Sequence, residues 1–526
     1  MKKIFYLFLV ISILFIGCDE EKSFDKRIND VMFLNQSQFN SFDPIDAYHA
    51  GHIQIVKQLF NTLTDINSKG ETIPSIAKSW NSSNGSIWEF NLRSDIYFIK
   101  DSCFSNDEQR KLNANDVKYS FERLLNKNSK SLGVSYFSNI KGFEAFRNGS
   151  ANHIEGVSVS NDSTIFFYLN DIDFNFPNLL TLPYCSIVKK QAIEFYESDV
   201  KLHPVGTGPF ILSNYTADQK IVLNKNTNYW ESKNNISIPE VDLVNINLVK
   251  DENLAFLQFK NQQLNFLELN YSIGHQLKNS KLNFDYDIES WPGTQLNFYL
   301  FNLEKIDQSI RKGINFAINR NELQTIIADQ GSIAKSIFPS IFSNLDNKIN
   351  TLDYNPKLAK QLLMKDRKIK LVCFEDILSR NLASFIKTSL ISYKINVEIE
   401  AVPFQVLVDR LMKGNYDMIQ LYWGPFYADI NHYLTPFLST SFPPVGNNFN
   451  KYSNSNFDQL VNSCQKSEKE DQMEKYLEAQ NIILDDMPFL LFYFGNMNRA
   501  TNNNFQLEKH PLGYRMYKNS KIVSND

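Results

Sequence analysis

Between residues 355 and 423 helical and extended patterns alternate three times, and no other segment restricts the fold as much. Pro356 falls in the first turn of a helix, where its missing N–H costs no bond, and Leu358, Leu362 and Leu363 give that helix a buried side. Ile369–Phe374 is then expected as a strand, Ser379–Tyr393 as a helix and Ile395–Val402 as an alternating strand. Phe404–Lys413 reads as a helix that Gly414 ends, and Tyr416–Trp423 as a strand again. Strands separated by helices run parallel through right-handed crossovers, so the class is α/β. Open parallel sheets bind ligands beyond the carboxyl ends of their strands. The loop from Trp423 to Tyr433 leaves such an end and is where a site is expected.

Other segments give local structure. Ile55, Val56, Leu59 and Phe60 have helical spacing within about His52 to Leu63. Trp88, Phe90 and Leu92 alternate with Glu89 and Asn91, as in a half-buried strand. Asn113 can cap a helix whose third residue is Asp116. Val157 and Val159 face Ile165, Phe167 and Leu169 across an Asn161-Asp162 turn, predicting a hairpin. A second β-rich stretch runs from Gly206 to Lys225, turning near Ala217-Asp218, before a strand at Val241–Val249 and a helix from about Asp251 to Lys260.

The amino terminus reads as an export signal. Lys2 and Lys3 precede an apolar run, Ile4 to Ile16, too short for the ~20 residues that span a bilayer. Phe15-Ile16-Gly17-Cys18 resembles a lipobox with phenylalanine where leucine is usual, so residues 1–17 are expected to be removed and Cys18 acylated. An ordinary secretory signal containing a cysteine is the alternative. Residues 18–30 are expected to form a charged tether, with structure beginning near Val31. Loss of Lys2 and Lys3 would take the net charge from −4 to −6, which argues against nucleic acid as a partner. The 42 Phe and 24 Tyr suit a protein that lines a cavity with aromatic walls.

Catalytic and metal signatures are missing from the sequence: there is no GxxxxGK loop, HExxH, GxSxG or paired CxxC. His49 and His52 are spaced for one helical face, but Gly51 weakens that helix and no further ligand adjoins them. Cys103, Cys185, Cys373 and Cys464 allow three disulfide pairings, or four buried thiols. The chain is therefore not expected to be an enzyme.

Several segments resemble the family 5 extracellular solute-binding proteins, which include the oligopeptide- and dipeptide-binding proteins of bacterial ABC importers. They are Asp43-Pro44, the run Pro74 to Trp80, Trp88 to Arg93, Asn113 to Arg123, Gly206 to Phe210 followed by Asn226 to Trp230, and Phe316 to Arg320, all in the family's order. The resemblance implies a periplasmic-binding-protein-like fold, two lobes with a cleft and three domains. Domain I would be built from about 31–50, 190–270 and 495–526, domain II from 51–189, and domain III from 271–494. It implies no cofactor and a monomer that delivers its solute to ABC permease and ATPase subunits, in the periplasm or cell envelope and held to a membrane by lipid.

In peptide-binding members the loop resembling W-x-A-D-Y-x-D grips the peptide ammonium through its first aspartate. Here Trp423, Tyr427 and Asp429 fall in register, and Phe426 occupies the aspartate's place. An ammonium buried without a counter-charge costs several kcal/mol. Three outcomes stay open: Asp429 or another acid such as Glu375 supplies the charge, the bound peptide lacks a free amine, or the ligand is not a peptide and Phe426 offers an apolar wall. Tyr48 and His49 match the segment that runs along bound peptide in the family, and Tyr136 matches an aromatic-bearing loop of domain II. The expected function is a lipid-anchored importer protein for peptides or peptide-like solutes. The alternatives are a binder of an oligosaccharide, an opine-like compound or a metal complex, or a sensor or surface lipoprotein.

Overall fold

The computed structural model describes residues 26–33, 39–47, 50–232, 236–342, 353–363, 366–425, 427, 429–443 and 446–523. The expected signal with Cys18, and the site candidates Tyr48, His49 and Phe426, lie outside them.

The strand–helix alternation is found where the sequence places it. Strands Arg367–Phe374, Ile395–Val402 and Met418–Trp423 are separated by helices Ile377–Ile391 and Phe404–Met412, and Gly414 ends the second helix at a left-handed φ of 62°. Arg367–Phe374 lies between the other two strands and is parallel to both. Side chains along it alternate between two cores, Leu371 and Cys373 to one and Val372 to the other, so both faces of the sheet are covered.

This parallel unit is only part of a seven-stranded sheet. Two long strands, Tyr286–Phe301 and Phe489–Asn502, pair antiparallel, the first also pairing with Met418–Trp423, while Phe266–Glu268 and Gly331–Ile333 pair with Phe489–Asn502. Their pairing breaks register between Pro292 and Leu296. A β-carbon on Gly293 would stand 2.6 Å from the carbonyl oxygen of Gly495, so the two backbones touch at this break.

A second lobe is made from the rest of the chain. Strands Arg27–Phe33, Leu243–Val249, Lys220–Lys225 and Phe210–Thr216 form one four-stranded sheet, and Ala77–Ser82, Ile87–Leu92, Thr164–Tyr168 and Val157–Asn161 form another. One hydrophobic core joins them, running from Ile28 to Leu248 and taking in Phe505, Leu507 and Tyr517. The helix Ala114–Leu124 has the expected capping box: Asn113 accepts from the Asn115 N–H, and its own N–H donates to Asp116 at 3.0 Å.

The expected tether is too long. Residues Arg27 to Asp30 are strand, not linker, and register with Leu243 to Ile246. Asp30 is wholly buried because Arg515 and Tyr517 satisfy it, which local charge density cannot foretell. The four cysteines are buried free thiols. No helix of the described residues is long and apolar enough to cross a membrane.

The chain passes between the lobes at Phe266–Glu268 and returns along the end of Phe489–Asn502, where Leu267 pairs with Ala500. A small core of Val31, Val249, Phe259, Leu267 and Ala500 packs this waist.

Candidate functional site

Strand Met418–Trp423 ends opposite Leu296, and the chain then turns toward the other lobe. Trp423 is fixed from below: its Nε1 donates to the His432 carbonyl at 2.9 Å, and its ring stacks on the His432 imidazole with centroids 5.3 Å apart. Burial pushes that imidazole down to about 4, so it is neutral near pH 7. The Tyr433 hydroxyl donates to the Thr294 carbonyl and ties the loop to the long strand. These contacts make the strand end a rigid platform.

Tyr427 leaves that platform and joins the core of the opposite lobe. Its ring meets Tyr136 edge-on at 5.9 Å. Tyr136 comes from the short 3-10 helix Leu132–Phe137, capped by Ser131. Burial raises both phenols, so each is a neutral hydrogen-bonding group. Trp423, Tyr427 and Tyr136 together line an interlobe cavity of about 870 Å³, within the range of small-molecule sites.

Asp429 lies behind this wall. Its carboxylate accepts from the Asn431 N–H at 2.8 Å, capping the turn Ile430–Tyr433, and from Asn175 of the other lobe at 3.4 Å. Burial, with a smaller contribution from Asp173, pushes it up to about 7. Of the alternatives for the missing ammonium partner, Glu375 is exposed, with its carbonyl held by Arg380 at 2.8 Å.

Segment 171–175 of the second lobe closes one side of the cavity. The Phe174 N–H donates to the Gln465 carbonyl at 3.1 Å, Asn175 donates to the Tyr476 hydroxyl at 3.3 Å, and Lys466 pairs with Asp171 at 3.3 Å. The lobes are therefore in contact both at the waist and across the cavity mouth.

A second cavity of about 360 Å³ abuts the waist and is walled by Glu268, Asn270, Trp291, Arg499 and Arg515 among others. Arg515 pairs with Asp30 and with Glu268, both at 2.8 Å. Burial alone would lower this guanidinium, but Asp30 and Glu268 outweigh it and hold it well above its ordinary value. Arg499 pairs with Glu289 at 2.5 Å and lies 4.9 Å from the Trp291 ring centre. Sequence reasoning missed these residues, because Arg515 and Asp30 are 485 positions apart and neither sits in a recognisable pattern. Among the described residues no group of three or more His, Cys, Asp or Glu could hold a metal ion.

Residues 71–443 match the model of the bacterial extracellular solute-binding proteins, family 5 (middle region). The peptide transport periplasmic protein SapA of Salmonella typhimurium is 25% identical over 499 residues, covering 90% of this chain and 88% of that protein. The dipeptide-binding protein of Escherichia coli is 22% identical, covering 88% and 89%. The structure of HbpA2 from Haemophilus parasuis superimposes with a TM-score of 0.79 at 19% identity, covering 95% of this chain and all of that one.

Proposed function

This chain belongs to the family 5 bacterial extracellular solute-binding proteins, and on that premise we propose that it captures peptides or peptide-like solutes between its lobes and hands them to a membrane permease. The observation that carries the reading is the 870 Å³ cavity whose walls come from both lobes, Tyr136 on one side and Trp423 with Tyr427 on the other. A guest in that space touches both walls only when the lobes are together. Its binding energy therefore favours the closed form, which is population shift. Rigid aromatic faces tolerate varied side chains, while amide groups such as Asn431 and Asn139 offer polar fixing points.

We further propose the three-domain partition, with domain I starting at Arg27. The core shared by the two four-stranded sheets supports joining domains I and II into one lobe. Acylation of Cys18 would hold the mature protein to an envelope membrane, and the short apolar run before it supports this. Trp423, Tyr427 and Tyr136 are proposed as direct wall contacts, and Asp429 as a group acting from behind the wall.

The test is native mass spectrometry of the purified mature protein, followed by thermal shift with a peptide panel. Retained peptide masses and stabilisation by several degrees are expected. A retained non-peptide solute, with no peptide shifting the melting temperature, would overturn the reading.

A further inference from the structure

We propose that Phe374, Phe404 and Tyr422, gathered at the carboxyl ends of three parallel strands, form a shelf on which a flat, uncharged aromatic ring of the solute stacks. This rests on the function proposed above and deepens it by assigning an aromatic side chain to the peptide.

The topology brings the three rings together. Phe374 is the last residue of strand Arg367–Phe374, and Phe404 opens the helix that follows strand Ile395–Val402. Tyr422 is the last residue but one of strand Met418–Trp423. Open parallel sheets take their ligands beyond these ends. Phe374 and Phe404 lie parallel to within 8° with ring centres 6.4 Å apart, and Tyr422 meets Phe374 at 5.3 Å, tilted by 34°. A near-parallel set is extended by one more ring in offset stacking, without any ring having to turn.

The rings are also open to solvent. Helix Phe404–Met412 buries Leu407 and Leu411, and Phe404 shares their face, yet it overhangs the end of the sheet and is 43% exposed. Tyr422 is 45% exposed, and Ile377, which starts the helix after Phe374, is 56% exposed. Large apolar side chains grouped in the open mark an interaction surface rather than a core.

Position makes the solute the occupant. Asn297, the ladder partner of Tyr422, and Leu378, in the first turn of the helix after Phe374, both line the 360 Å³ waist cavity, so the shelf borders that cavity. None of the three rings lines the 870 Å³ cavity that Trp423 and Tyr427 wall, so the shelf is a separate surface. The nearby charges are engaged elsewhere: Asp376 accepts from the Ser379 N–H at 3.0 Å as a helix cap, and Arg380 donates to the Glu375 carbonyl at 2.8 Å. Burial raises the Tyr422 phenol, and Asp376 adds to the effect, so that ring is neutral. The rings themselves carry no charge for an ion to pair with.

The experiment is isothermal titration of the mature protein with penta-alanine and with two series of pentapeptides, which place one phenylalanine or one cyclohexylalanine at each position in turn. Cyclohexylalanine is as apolar but not flat, so it separates stacking from simple burial. At one position or more the phenylalanine peptide is expected to bind about fivefold tighter than its cyclohexyl counterpart. In Phe404→Leu and Tyr422→Leu that preference should fall below about twofold, with an unchanged denaturant midpoint as the check on folding. A preference that survives in both variants would place the ring elsewhere and overturn the shelf. Equal binding of the two series at every position would overturn it as well and leave the peptide reading standing. Binding by no peptide would overturn both.

Discussion

Raising the pH from 5 to 8 should destabilise the ligand-free closed molecule through Asp429, and the size follows from its surroundings. Burial moves this acid from 3.8 to about 7. A shift of about three units is worth roughly 4 kcal/mol at 1.36 kcal/mol per unit. The sign follows from proton counts. Between those two values the folded form keeps a proton that the unfolded chain has lost, so the stabilising difference is complete below 3.8 and is lost as pH rises through 7. From pH 5 to 8 roughly 3 kcal/mol should disappear through this group. Asp173, raised to about 6, acts in the same direction, but the two carboxylates interact and their effects do not add. The assay is denaturant unfolding of ligand-free wild type and Asp429→Asn at pH 5 and 8, with small-angle scattering at both. Asn keeps an oxygen for the Asn431 N–H and cannot ionise, so the variant should lose roughly 2–3 kcal/mol less than wild type. Scattering should show wild type more open at pH 8. Parallel pH profiles for the two proteins would refute the reasoning.

Other outcomes follow from contacts described above. Tyr427→Ala removes an aromatic side chain that bridges the lobes, worth about 1.5–3 kcal/mol, so the ligand-free protein should shift toward an open form in scattering; unchanged scattering with a lower melting temperature would assign Tyr427 to folding alone. Arg515→Met leaves Asp30 buried without its cation and should cost about 3–5 kcal/mol in denaturant unfolding, and a cost under about 1 kcal/mol would contradict the ion-pair account. Asn113→Ala deletes half of a capping box and should cost about 1 kcal/mol by the same measurement. On the acylation proposed from the sequence, and not from any contact, Cys18→Ser should move the protein from the membrane fraction to the soluble envelope fraction, as read by fractionation and metabolic acyl labelling; an unchanged distribution would overturn that proposal.

Local pattern made some features legible and tertiary geometry concealed others. The 355–423 alternation, the Asn113 cap and the 157–169 hairpin depend on near neighbours, and each lies within a few residues of its expected position. Tyr286–Phe301 was hidden because Pro292 and Gly293 interrupt it, and only the register break opposite Gly495 lets both halves belong to one strand. The loop from Trp423 to Tyr433 is legible from the parallel-sheet rule, whereas Tyr136 and the register of Tyr427 come from a resemblance to a family, since nothing in their spacing links residue 136 to residue 427. Asp173 carried no signal at all. It matters only because folding sets it beside an acid 256 positions away, without a base between them.

The paired strands Tyr286–Phe301 and Phe489–Asn502 have a mechanical consequence. Zipped to each other, these two spans cannot flex separately, so opening of the lobes is expected as one rocking motion about the waist where Leu267 pairs with Ala500. The opening edge is then the far rim, past Phe174 and Asn175, where a few hydrogen bonds, one exposed ion pair and the Tyr427–Tyr136 contact join the lobes. The hinge side sets how the jaws swing, and that thin far seam sets how readily they part.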